Sequence, residues 1–234
     1  MHSTPTDPPY VRYVHSFEEL ISTPMCDEFN ALCLRRTIEG DFSEVIRHLK
    51  AERGITTLER ARLLSLPVSA AGKVAIDFML RDQEQLQSYG LDPEIDCVNG
   101  YIGHDQPSLM RTDVCSFHAD RATDAADTYL CTYSGASSLG VCHHDVIPRA
   151  QIPALRKVLL ADFGGEDDEN FLEYLSENFY DLHYEALPGA RTFCFGVGHL
   201  WRIAIDYPGN PVPPCIHRAP DPTVGDPPRL ILIG

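Results

Sequence analysis

Phe117-His118-Ala119-Asp120-Arg121 is the stretch from which the rest of the chain is read, and Ile216-His217-Arg218-Ala219-Pro220 is its distant partner. On extended backbone, residues i and i+2 project from one face. A strand or strand end here lets His118 and Asp120 converge on one ion. Folding that brings His217 alongside adds a third ligand. Two imidazoles and a carboxylate on one side of a metal, with the opposite side open, form a facial triad suited to non-heme Fe(II). Further on, Arg229 opens the apolar run Arg229-Leu230-Ile231-Leu232-Ile233. A guanidinium there is placed to grip a carboxylate at two points.

Working outward, strand signals gather after Pro93. Cys97 to Ile102 reads as a strand, and Asp113 to His118 as a second. Thr128-Tyr129-Leu130-Cys131-Thr132-Tyr133 is the clearest, with β-branched and aromatic residues followed by the turn Ser134-Gly135. Gly140 to His143, Arg191 to Val197, Leu200 to Ile205, Cys215 to His217 and Arg229 to Ile233 continue the series. Ile152 to Leu160 and Asn170 to Phe179 read as helices. Upstream, the chain reads as a loose arm over residues 1–12 and then as helices. These run over 16–24 with Ser16 as cap, over Asp27 to Arg36, from Asp41 to a stop at Gly54, from Thr56 or Thr57 to Leu64, and over 69–90.

Short strands separated by Gly and Pro turns, after a helical lead-in, fit a mainly β fold with a helical N-terminal part. Its core is expected to be a double-stranded β-helix of jelly-roll or cupin-like form. A doubly wound α/β fold is disfavoured because strands and helices do not alternate regularly. The expected division is a mainly helical extension over 1–93 packing on a core over 94–234. A helical insert lies around 150–182, and the whole forms one structural domain.

The 234 residues are 44% hydrophobic and carry a net charge of −15, which disfavours a nucleic-acid partner and docking on anionic membranes. No secretory signal and no apolar run of membrane-span length are visible. The eight cysteines show no paired close spacing, and several sit inside apolar stretches. They read as free thiols of a reduced, cytoplasmic protein.

The order His118-x-Asp120, a gap of about a hundred residues, His217, then Arg229 about a dozen on, resembles the iron(II)/2-oxoglutarate-dependent dioxygenase superfamily over residues 95–234. The resemblance implies Fe(II) held by His118, Asp120 and His217. It implies 2-oxoglutarate on the metal, with its far carboxylate on Arg229; on the strand read over 128–133, Thr132 or Tyr133 is a candidate to donate a further hydrogen bond to it. Core packing is the competing role for both of those residues. The implied chemistry is oxidation of a C–H bond of a small molecule by O₂, with succinate and CO₂ as coproducts. Asp120 fills the position that a halogenase variant of the site leaves to halide, so hydroxylation, desaturation or oxidative cyclisation is expected. Arg121 and Arg202 are candidates for a substrate carboxylate, as on an amino acid or its derivative. Cys142-His143-His144-Asp145 is either a polar loop or a zinc loop. Two readings compete with the whole: a cupin-like metalloenzyme using the same triad without 2-oxoglutarate, and a non-catalytic β-barrel binding protein.

Overall fold

In a computed structural model, which describes residues 8–101, 108–223 and 225–234, the chain alternates between strands and helices. The N-terminal part runs β1 (Tyr10–Val14), α1 (Phe17–Ser22), β2 (Phe29–Leu34), α2 (Phe42–Leu49), β3 (Gly54–Thr57), α3 (Arg60–Leu64) and α4 (Ala70–Gln87). Then come β4 (Glu94–Asn99), β5 (Asp127–Ser134), β6 (Leu139–Val141), β7 (Val146–Pro148), α5 (Pro153–Phe163), α6 (Glu169–Glu177) and β8 (Tyr184–Ala186). The chain closes with β9 (Thr192–Cys194), β10 (Leu200–Ala204), β11 (Ile216–Arg218) and β12 (Arg229–Ile233).

The expectation of a mainly β chain is corrected: helix and strand take about 30% and 27%, and the fold is mixed. The main sheet has seven strands in the order β1-β2-β10-β5-β12-β4-β3, with β1 and β2 the parallel pair. A smaller sheet has the order β11-β6-β9, and β7 pairs with β8. Three strands of residues 1–93, namely β1, β2 and β3, are thus integral to the main sheet. The largest difference is in Asp27 to Arg36, expected as a helix, where Phe29–Leu34 is strand. Phe29, Leu32 and Leu34 are its large apolar residues, and Ala31, Leu32 and Cys33 are all fully buried. A strand covered on both faces shows no alternation and is not told from a helix by period. Asp113 to His118 is irregular apart from its last residue, and Thr56 and Thr57 lie in β3 rather than capping α3. Ser16, Asp41 and Ser69 do cap α1, α2 and α4, each accepting a backbone N–H in the first turn. Residues 1–7 of the expected arm and Ile102 of the expected strand lie outside the described residues.

Alternation along β5 divides the interior. Tyr129, Cys131 and Tyr133 face the helices and pack with Val45, Met79 and Leu86. Leu130 faces the other way and joins Trp201 and Ile203 of β10 with Phe195 and Cys215. On β12, Leu230 and Leu232 pack toward the helices, so Arg229 and Ile231 project from the opposite face. That face, between the main sheet and the smaller one, carries the candidate site. Among the described residues, no helix is long and apolar enough to cross a membrane.

Candidate metal centre

His118 is fixed by its backbone before its side chain is considered. Its N–H donates to His217 O at 2.9 Å, and the N–H of His217 returns the bond to His118 O at 3.0 Å. Directly opposed residues on neighbouring strands present side chains to one face. The two rings accordingly lie 4.6 Å apart between centroids. Asp120, two residues on, reaches the same point: its oxygens lie 3.5 Å from His118 Nε2 and 3.8 Å from His217 Nε2. The three ligand atoms fall within 4.8 Å of one another.

The tautomers follow from the partners. His118 Nδ1 lies 2.8 Å from Ser116 O, and His217 Nδ1 lies 3.2 Å from Cys215 O. A carbonyl only accepts, so each Nδ1 carries a proton, and in the neutral ring each Nε2 is left with its lone pair. Two lone pairs and a carboxylate therefore converge. Thr128 donates to Asp120 Oδ2 at 2.6 Å and holds the carboxylate in place. Burial works against the charge of Asp120, but the facing imidazoles and the Thr128 hydroxyl outweigh it and hold the carboxyl well below its usual range. Burial also drives His217 below the ordinary imidazole value, against the pull of Asp120. A divalent ion placed between them would face the carboxylate and both ring nitrogens at once. The N₂O donor set fits Fe(II), and fits Mn(II), Co(II) and Zn(II) as well.

One wall of the centre is apolar. The ring of Phe195 stacks on Trp201 at 4.3 Å and lies 6.1 Å from His217. Asp120, with a side chain 28% exposed, marks the open side. Also present is His183, which sequence reading passes over. It is buried, its Nδ1 lies 2.6 Å from Ser116 Oγ, and burial, reinforced by His118 and Arg149, pushes it down to about 4.

Arg229 is buried at the start of β12. Its Nε donates to Ala136 O at 2.7 Å and one terminal nitrogen to Tyr101 Oη at 3.0 Å. Among the described residues no carboxylate pairs with it. Gly135, at φ +86°, lets the arginine lie against the β5 turn, since a Cβ there would sit 2.8 Å from Arg229 Cγ. Arg229 lines a cavity of about 780 Å³ with Arg53, Asn99, Tyr101, Asp221 and Asp226; His118, Asp120 and His217 are not among its walls. Thr132 Oγ1 is buried without a hydrogen-bond partner among the described residues.

Other candidates are placed elsewhere. Tyr133 faces the helices and donates to Asp82 at 2.7 Å, so it is not available to a ligand on the opposite face. Arg202 likewise faces the helices, away from the triad, with its side chain only 15% exposed. It donates to the carbonyls of Leu20, Ile21 and Thr23 at the end of α1 and pairs with Asp127. Arg121 sits beside Asp120 but is held by Asp181 and Asp206. Their partners are remote in sequence, so neither pairing is visible there. In the Cys142–Asp145 stretch, Asp145 is bound by Arg191, and the rings of His143 and His144 pack edge-on to Tyr10. That arrangement is a polar loop. Among the described residues His118, Asp120 and His217 form the one group of metal-binding type. No protein-family model matches the chain, and neither a curated protein nor a solved structure matches it.

Proposed function

We propose that the protein is a non-heme Fe(II)/2-oxoglutarate-dependent oxygenase that oxidises a C–H bond of a small molecule. The observation that carries the reading is the convergence of two imidazole lone pairs and one carboxylate on a single point. Strand order supports the accompanying fold, a double-stranded β-helix. One layer would be β10-β5-β12-β4, and the facing layer would be the His118 segment, β11, β6 and β9. Each layer interleaves strands from the first and second halves of the core, as a wound β-ribbon requires. The eight free cysteines suit a reducing, cytoplasmic setting.

In this reading His118, Asp120 and His217 hold Fe(II), which with 2-oxoglutarate and O₂ supplies the oxidising power and yields succinate and CO₂. The chain's own residues do the rest. Arg229, a buried guanidinium without a carboxylate among the described residues, accepts the far carboxylate of the cosubstrate. Thr132 offers it an unused hydroxyl. Phe195 and Trp201 keep water from one side of the centre. The net charge of −15 makes a nucleic-acid substrate the poorer choice.

A second reading, a cupin-like metalloenzyme that does not use 2-oxoglutarate, is favoured by one observation: the cavity beside Arg229 takes none of its walls from the triad. Anaerobic addition of Fe(II) and then 2-oxoglutarate separates the two. A visible charge-transfer band that needs both additions is the expected result. Metal binding indifferent to 2-oxoglutarate moves the assignment to the second reading, and no metal binding overturns both.

A further inference from the structure

His183 follows α6, in the segment that separates the two halves of the triad in sequence. Its backbone pairs with the edge of the ligand segment that β11 leaves free. Ala119 N–H donates to Leu182 O at 3.0 Å, and Tyr184 N–H donates to Phe117 O at 2.8 Å. His118 is therefore the cross-strand partner of His217 on one edge and of His183 on the other. The three imidazoles form a row on one face, with His183 5.7 Å from His118 between ring centroids. His183 is 4% exposed.

The hydrogen bonds give this row a direction. Ser116 Oγ has one proton, and it goes to Asp113 O at 2.8 Å. The 2.6 Å contact between Ser116 Oγ and His183 Nδ1 thus takes its proton from the imidazole. The carbonyl of the same serine accepts from His118 Nδ1. Ser116 is tied to His183 by its side chain and to a candidate ligand by its backbone. We propose that His183 is a positioning residue of the metal centre: by donating to Ser116 Oγ it fixes the carbonyl that sets the tautomer and ring plane of His118. The inference rests on the triad being a metal site, and is independent of whether 2-oxoglutarate is used. It makes the segment that carries α5 and α6 part of the centre's frame.

Cobalt(II) alone serves as the probe, on the full chain. The unaltered protein is expected to bind one Co(II) with visible bands. His183→Phe should lower Co(II) affinity by up to about 10-fold, the low end of the range for partners outside the ligands because it acts on His118 only through Ser116, and shift those bands. His183→Asn, whose amide N–H stands where Nδ1–H stood, should restore most of both. Ser116→Ala should reproduce the loss, and adding His183→Phe to it should cost little more. If His183→Phe does not fold, Ser116→Ala and His183→Asn carry the test. Equal affinity and spectra in the unaltered protein and His183→Phe would overturn the inference and leave the triad standing. A His183→Phe defect that Ser116→Ala does not share, or that Asn does not repair, would overturn the route through Ser116. Failure of the unaltered protein to bind Co(II) would remove the metal site and the inference together.

Discussion

Two polar clusters lie on opposite faces of the central sheet, and they are built on opposite logic. Under the helices, Arg36 forks onto both oxygens of Asp82, Tyr133 donates to the same carboxylate, and the Arg36 Nε donates to Gly198 O. Donors meet acceptors throughout, and the cluster is complete as it stands. On the other face, His118, Asp120 and His217 bring acceptors to acceptors. A matched buried network holds structure, while an unmatched one held by its own backbone bonds has room for a cation. The guanidiniums divide in the same way. Arg36, Arg121 and Arg202 all have carboxylate partners, whereas Arg229 is hydrogen-bonded to a carbonyl and a phenol.

The contrast is sharpest where the same change is made on each face. Asp120→Ala removes one of the three proposed ligands, and metal affinity measured by calorimetry should fall more than about 100-fold, beyond what loss of an outer hydrogen bond costs. Its urea unfolding midpoint without metal should barely move. Asp82→Ala should do the reverse: it strands Arg36, and stability from urea melts should drop by about 3–5 kcal/mol with metal affinity unchanged. If both variants lose stability alike, the distinction between the faces fails. Arg229→Gln should weaken 2-oxoglutarate about 10–100-fold, by analogy with other lost charge-assisted pairs, and spare the metal. Unchanged cosubstrate affinity would take Arg229 out of that role. The smallest effects concern single hydroxyls. Tyr133→Phe should cost about 1–2 kcal/mol by thermal melt, while Thr132→Val, which removes a hydroxyl with no partner among the described residues, should be neutral or stabilising by up to about 1 kcal/mol.

Much of the site was legible because its logic is local. His118 and Asp120 share a face through the i, i+2 rule, and capping residues such as Ser16 and Asp41 announce helix starts from a few neighbours. The strands β5, β10 and β12 also read correctly, since β-branched and aromatic runs end at turn residues. What escaped depends on distant contacts. Strand β2 is buried on both faces and so lost its alternation. Strands β1 and β3 are short edges, and β1 begins inside the stretch that reads as a loose arm. Arg202 looked available because the carbonyls it caps lie about 180 residues away. His183 carries no motif at all; only the bridge to His118 brings it to the centre.

On the proposed reading, the acceptors of His118, Asp120 and His217 require a cation at one point. Anaerobic equilibrium dialysis of the metal-free protein against Fe(II), side by side with Asp120→Ala, tests this most directly. One tightly held iron per chain, absent from the variant under the same conditions, is the predicted result. Iron retained equally by both proteins, or by neither, would contradict it.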